Sequence, residues 1–175
     1  MSKYKVGVIG IGNMGSNHLR VYSEIPEVNL VSVADINTDI FSNLINKYNV
    51  NFYVDYKNMI NMEKLDIVSI CVPTSFHYMV ARYCINNKIN VLLEKPITDN
   101  LEEAKELLEL AEKNNLKFLV GHIERFNPAV KKVKEIIDSN KIGRITSIIA
   151  RRVGIFPPQI QDANVAVDFA IHDID

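Results

Sequence analysis

The 175-residue sequence has no tryptophan, only two cysteines, no block of like charge and no long apolar run. A chain with two cysteines has no disulfide framework to lean on. Cys71 and Cys84 stand in apolar settings without metal-ligand spacing, so both read as reduced structural thiols and no metal site is expected. Twenty lysines and arginines against 21 aspartates and glutamates leave a formal charge of −1, which argues against a nucleic-acid or membrane-surface partner. No segment approaches the roughly 18 uninterrupted apolar residues that a membrane span requires. Met1-Ser2-Lys3-Tyr4-Lys5 runs straight into a strand-like segment, leaving no room for a signal peptide, and a cytoplasmic location is the expectation.

What the sequence does hold is alternation. Short β-branched apolar runs alternate with helical patterns over the first 120 residues, the mark of repeated βα units on a parallel sheet. Strands are expected at Tyr4–Ile9, Leu30–Ala34, near Phe52–Val54, Ile67–Cys71, Asn90–Leu93 and Lys117–Val120. Between them, Met14, His18, Val21, Tyr22 and Ile25 form one helical stripe, and Leu101, Ala104, Leu107, Leu108 and Ala111 another. Asp99-Asn100-Leu101-Glu102 reads as the start of the second, with Asp99 accepting from a free backbone N–H and Glu102 reaching back. The fold class is therefore α/β, a doubly wound parallel sheet over residues 1–120.

After Val120 the pattern changes. Asn127-Pro128 reads as an N-cap followed by proline at the first helical position, opening a helix to about Ser139. Gly143 ends that region, Arg144–Val153 reads as a strand, and a short helical segment follows from Val165. A lone strand and an uncapped helix do not make a core, so residues 121–175 are expected to be the first part of a second domain.

Gly10-Ile11-Gly12-Asn13-Met14-Gly15 places a G-x-G-x-x-G after a strand and at the opening of a helix. Gly10 suits the tight turn, Gly12 the approach of a pyrophosphate, and Gly15 close helix-to-strand packing. Asp35 ends the second strand 20 residues after Gly15, followed by Ile36. A carboxylate there accepts from both ribose hydroxyls and repels a 2′-phosphate, so NAD is expected over NADP. A glycine turn in an α/β fold without cofactor is the competing account.

Three further segments point to chemistry. Val72-Pro73-Thr74-Ser75-Phe76-His77 follows the fourth strand, where open parallel sheets bind ligands; alternatively, Ser75 caps the next helix and His77 is solvated. Glu94-Lys95-Pro96 closes the fifth strand, and the proline holds Lys95 extended, with a cis bond available before Pro96. An ammonium fixed beside a hydroxyl lowers its pKa; the alternative is a surface lysine. Asp168 and His172 lie four apart on one helical face, among apolar Val165, Val167, Phe169, Ile171 and Ile174, as a general base and its orienting carboxylate or as a satisfied core histidine.

Taken together, Gly10-x-Gly12-x-x-Gly15, Pro73-Thr74 to His77, Glu94-Lys95-Pro96 and Asp168-x-x-x-His172 resemble, in order and spacing over the whole chain, the glucose-fructose oxidoreductase, inositol dehydrogenase and rhizopine-catabolism (Gfo/Idh/MocA) family. One departure is Ala163-Asn164, where the family often has a glycine pair. The resemblance implies a Rossmann domain followed by an α/β domain with a mostly antiparallel sheet, Lys95 and His172 beside the nicotinamide, and a homodimer or homotetramer when full length. The cofactor contacts it implies are Gly10 to Gly15, Asp35, Ile36, Val72, Pro73, Thr74, His77, Glu94 and Lys95. Within the family, Val120 to Val130, Ala150 to Gly154 and Ala170 to Asp175 look like the subgroup that oxidises the 3-hydroxyl of UDP-N-acetylglucosamine to a ketone. On that resemblance the substrate is a nucleotide sugar. Arg125, Arg151 and Arg152 can pair with its diphosphate, or be solvated charge, and Asn127 binds sugar or serves only as the helix cap. A family dehydrogenase on a free sugar or inositol, and a non-catalytic NAD-binding fragment, are the alternatives.

Overall fold

The computed structural model describes residues 3–40, 44, 47–151 and 171–174. The chain divides into two compact units, Met1–Val120 and Gly121–Asp175. In the first, six strands form one parallel sheet: β1 (Tyr4–Ile9), β2 (Val28–Ala34), β3 (Asn51–Tyr53), β4 (Ile67–Ile70), β5 (Asn90–Leu93) and β6 (Phe118–Val120). Their order is β3-β2-β1-β4-β5-β6, so the chain reverses direction across the sheet between β1 and β4. Parallel strands need crossovers, and among the described residues four helices lie in them: α1 (Asn13–Glu24), α2 (Tyr56–Met62), α3 (His77–Asn86) and α4 (Leu101–Lys113).

Strand residues alternate between two apolar layers. Val8 and Val33 pack with Leu19 of α1 and Val50 on one side. Ile9, Ala34, Val68, Ile70, Val91 and Leu93 pack with Val80, Ala81, Cys84 and Ile85 of α3 and Leu107 and Ala111 of α4 on the other. Burying each such valine or leucine contributes about 1.5–3 kcal/mol, and both faces of the sheet are covered, as a parallel sheet requires.

Several sequence expectations need adjusting. β2 begins at Val28 rather than Leu30, β3 lies one residue earlier with Val54 exposed, β4 stops before Cys71, and β6 starts at Phe118. The inward face of α1 is Gly15 and Leu19, with His18 and Tyr22 half-buried, whereas Met14 and Val21 are exposed. Close packing of Gly15 on the preceding turn sets the rotation of this helix, overriding the hydropathy stripe. In α4, Ala104, Leu107 and Ala111 are buried but Leu101 and Leu108 are exposed. Its N-cap is Asn100, not Asp99: the Asn100 Oδ1 accepts from the Glu102 and Glu103 N–H groups at 2.8 and 3.4 Å.

In the second unit a 3₁₀ turn, Ile123–Phe126, precedes α5 (Pro128–Asp138), and a short α6 spans Ile171–Ile174. Asn127 caps α5, its Oδ1 accepting from Ala129 N–H at 3.0 Å, with Pro128 in the first turn. Residues 144–151 form no strand, contrary to the apolar pattern, because a strand exists only through a hydrogen-bonded neighbour and none occurs among the described residues of this unit. The antiparallel sheet implied for this unit is likewise not among them. No helix among the described residues is long and apolar enough to cross a membrane.

Candidate cofactor and active site

Reversal of strand order between β1 and β4 opens a crevice beyond the carboxyl ends of the strands, where ligands of such sheets bind. Strand register brings the predicted segments to that rim. Ile9 pairs with Ala34 and Ile70, and Ile70 with Leu93. The residues that follow, Gly10, Asp35, Cys71–Val72 and Glu94–Lys95, therefore emerge side by side. Backbone bonds tie the row together: Gly10 N–H to Ala34 O at 2.8 Å, Cys71 N–H to Ile9 O at 2.8 Å, and Glu94 N–H to Ile70 O at 3.0 Å.

The glycine turn is tightly built. Gly10 has φ +85°, and a Cβ there would lie 2.8 Å from the Cys71 backbone. A Cβ on Gly15 would stand 1.9 Å from the Gly10 carbonyl oxygen. At Gly12 a Cβ would meet nothing within 4 Å, so the turn is open on that side. Gly12 is the N-cap of α1 and has no side chain to cap the first N–H groups, which leaves the helix N-terminus available to an anion. Asn13 and Met14 begin this helix and are exposed, whereas Ile11 is buried.

Asp35 lies against the same turn. Its Oδ2 accepts from Ile11 N–H at 2.5 Å and its Oδ1 from Asn37 N–H at 2.8 Å. Each oxygen keeps a lone pair for a ribose hydroxyl. Ile36 beside it is 87% exposed, an apolar surface suited to a flat ring.

Beyond β4, Val72 and Thr74 are half-buried and Pro73 is exposed. His77 is neither solvated nor at the surface: it is 1% exposed, with Nδ1 2.7 Å from Pro96 O and Nε2 3.0 Å from Val72 O. Its ring thus links the β4 loop to the β5 loop, offering no free nitrogen to a ligand. Ser75 does not cap α3, whose N-cap is Phe76 without a side-chain bond. The Lys95–Pro96 bond is cis, and Lys95 is half-buried between buried Glu94 and Pro96.

Glu94 also turns inward, to a partner that no catalytic or binding motif marks. His18 Nε2 is 3.0 Å from Glu94 Oε1, His18 Nδ1 is 3.0 Å from Ser69 Oγ, and Tyr22 OH is 2.8 Å from Ser69 Oγ. Burial pushes the Tyr22 phenol up, against a smaller opposing effect of the Ser69 hydrogen bond. Burial, aided by the Glu94 charge, pushes the Cys71 thiol up as well. A histidine and a serine on buried faces each need a polar partner, and that need was the available clue to this cluster.

In the second unit Arg125 and Arg151 are exposed, and His172 is half-buried in α6. Arg152, Ala163, Asn164 and Asp168 lie outside the described residues. No cluster of three or more metal-ligating side chains occurs among the described residues.

The signature of the oxidoreductase family with an NAD-binding Rossmann fold matches residues 4–122. The chain belongs to the Gfo/Idh/MocA family. It is 30% identical over 175 residues to UDP-N-acetylglucosamine 3-dehydrogenase of Acidithiobacillus ferrooxidans, covering 100% of this chain and 53% of that protein. To inositol 2-dehydrogenase of Salmonella typhimurium it is 28% identical over 176 residues, covering 98% of this chain and 52% of that one. The crystal structure of scyllo-inositol dehydrogenase from Lactobacillus casei, with bound NAD(H) and scyllo-inositol, superposes with a TM-score of 0.79 at 26% identity, covering 83% of this chain and 44% of that chain. The chain spans about half the length of the curated relatives it matches. As a Gfo/Idh/MocA member it takes NAD as cofactor, and its own residues fit that group: an open Gly12, an uncapped helix N-terminus and a carboxylate at the end of β2.

Proposed function

We propose that this chain carries the NAD-binding part of a dehydrogenase that oxidises a sugar hydroxyl to a ketone, the hydroxyl being the 3-hydroxyl of UDP-N-acetylglucosamine. The observation that supports it best is the position of Lys95, at the carboxyl end of β5 in the same row of strand ends as the glycine turn. When bound, NAD supplies the hydride acceptor for such an oxidation.

The protein side of the reaction is proton handling and charge. Lys95 stabilises the alkoxide as the hydroxyl loses its proton, because a positioned ammonium favours the charged form. Lys95 and His172 are the two candidates for the base that takes that proton, and Asp168 orients His172 or binds the sugar. Gly10 to Gly15 and Asp35 bind the cofactor, with Ile36 and Val72 to Thr74 along its path. His77 and Glu94 shape that path from inside. Arg125, Arg151 and Arg152 pair with the diphosphate of the nucleotide sugar. Asn127 already caps α5, so a sugar contact there adds a second task to a residue with a structural one. Assembly is a homodimer or homotetramer of the full-length protein.

A second reading, oxidation of a free inositol or sugar, is favoured by the comparable similarity to inositol 2-dehydrogenase. The two separate in one assay of the full-length protein with NAD, following reduced nicotinamide by absorbance. Reduction with UDP-N-acetylglucosamine, lost in Lys95→Ala and His172→Ala, supports the first. Reduction with inositol or free sugars alone moves the substrate to the second. No reduction with any of them, by protein that binds NAD, returns the chain to a binding role.

A further inference from the structure

Lys95 has a neighbour on each side, and each is held by a histidine from a different helix: Glu94 by His18 of α1 and Pro96 by His77 of α3. We propose that His18 is a positioning residue for Lys95, acting through the Glu94 carboxylate. The inference rests on the reading of Lys95 as the group beside the reacting hydroxyl.

The hydrogen-bond directions in the cluster follow from its chemistry. The Glu94 side chain is 9% exposed, and a buried carboxylate persists only with donors on its oxygens. A carboxylate accepts and does not donate, so His18 Nε2 carries the hydrogen at the 3.0 Å contact with Oε1. The other oxygen, Oε2, accepts from Lys95 N–H at 3.3 Å. With Tyr22 OH as the donor across its 2.8 Å contact, Ser69 Oγ accepts. Ser69 is then left with its own hydrogen for His18 Nδ1. With the ring hydrogen on Nε2, every member of the chain Tyr22 to Ser69 to His18 to Glu94 is satisfied in one direction.

One carboxylate oxygen is thereby reserved for the Lys95 backbone. Removing the imidazole leaves Glu94 short of a donor, and Lys95 is the adjacent residue with an ammonium to supply one. An ammonium drawn to its own neighbour is lost to the substrate hydroxyl.

The test uses the full-length protein with NAD and the substrate that supports turnover. His18→Ala should lower kcat about 10- to 100-fold while the KM for NAD stays within about twofold, and His18→Gln, whose amide can donate to Glu94 and accept from Ser69, should recover to within about fivefold. Two readouts do not need turnover. Amide exchange at Lys95 should be at least about tenfold faster in His18→Ala and near the parent rate in His18→Gln. Nitrogen shifts of the His18 ring should report the Nε2–H tautomer. If His18→Ala does not fold, Ser69→Ala, which removes the donor to Nδ1 together with the acceptor of the Tyr22 hydroxyl, should still mix the tautomers and speed Lys95 exchange. Exchange and kcat within twofold of the parent, an Nδ1–H ring, or a folded His18→Gln as impaired as His18→Ala would each overturn the proposal. If no sugar or polyol is oxidised, the dehydrogenase reading fails on its own, while exchange and tautomer still decide the role of His18.

Discussion

Gly12→Ala and Gly15→Ala are the same chemical change three residues apart, and the structure assigns them very different consequences for stability. At position 15 the new methyl would lie 1.9 Å from the Gly10 carbonyl oxygen, so something must move by more than about 1 Å. The turn has nowhere to go, because Gly10 already packs so closely on Cys71 that its own missing Cβ would be 2.8 Å from that backbone. Overpacking against backbone costs about 3 kcal/mol or more, which for a unit of this size lowers the melting temperature by about 10 °C. At position 12 the methyl meets nothing within 4 Å and φ is −70°, so the gain of about 0.4–1 kcal/mol through the unfolded chain is offset by alanine's poorer fit at the N-cap, and the change is close to neutral. Cofactor binding should nonetheless suffer in both. A methyl at Gly12 fills the space through which the pyrophosphate approaches, and losing one charge-assisted backbone hydrogen bond at about 1.5–3 kcal/mol weakens NAD about 10- to 100-fold. Thermal melts and NAD titrations of both variants make the comparison. Tight NAD binding by Gly12→Ala, or a parental melting temperature for Gly15→Ala, would refute this account of the turn.

Other expectations concern single groups. Asp35→Ser removes the negative charge that faces the ribose and should reduce the preference for NAD over NADP at least about tenfold, measured as the ratio of their dissociation constants; an unchanged ratio removes Asp35 from cofactor selection. Asn100→Ala should cost about 1 kcal/mol by denaturant unfolding, and Asp99→Ala much less, because Asn100 is the residue that caps α4. Burial pushes the Cys84 thiol from its ordinary 9.0 up to about 12. The folded chain then holds a proton that the unfolded chain has released, so this contribution is complete below about pH 9 and is lost as pH rises towards 12. Melting temperature should decline across that window and decline less in Cys84→Ala measured against its own value at neutral pH; equal slopes would exclude the thiol as the cause.

Much of this molecule was legible before any fold was known. Strand β-branching and the spacing of Gly10, Gly12 and Gly15 need only local conformation to be read, and all six strands were located to within two residues at their ends. The Asn127-Pro128 helix start was legible for the same reason, since a cap is a contact between near neighbours. Rims of parallel sheets follow from topology, so the segments after β1, β2, β4 and β5 could be expected to converge.

Rotation and burial were another matter. His18 joins a stripe with Met14 and Val21 by spacing, yet the helix turns on Gly15 and buries His18 against Ser69 and Glu94, residues 51 and 76 positions away. His77 follows a proline as an exposed ring would, yet it spans two loops through the carbonyls of Val72 and Pro96. Asp99 and Asn100 are both good caps, and only the backbone geometry at Asn100 chooses between them. Arg144–Val153 has a strand's composition, but among the described residues no neighbouring strand is present to pair with it. Sequence by itself determined what depends on near neighbours: element type, the glycine turn and its acidic companion. Tertiary structure decided what depends on distant partners, because a buried imidazole or carboxylate takes its direction and its role from whichever group meets it across the fold.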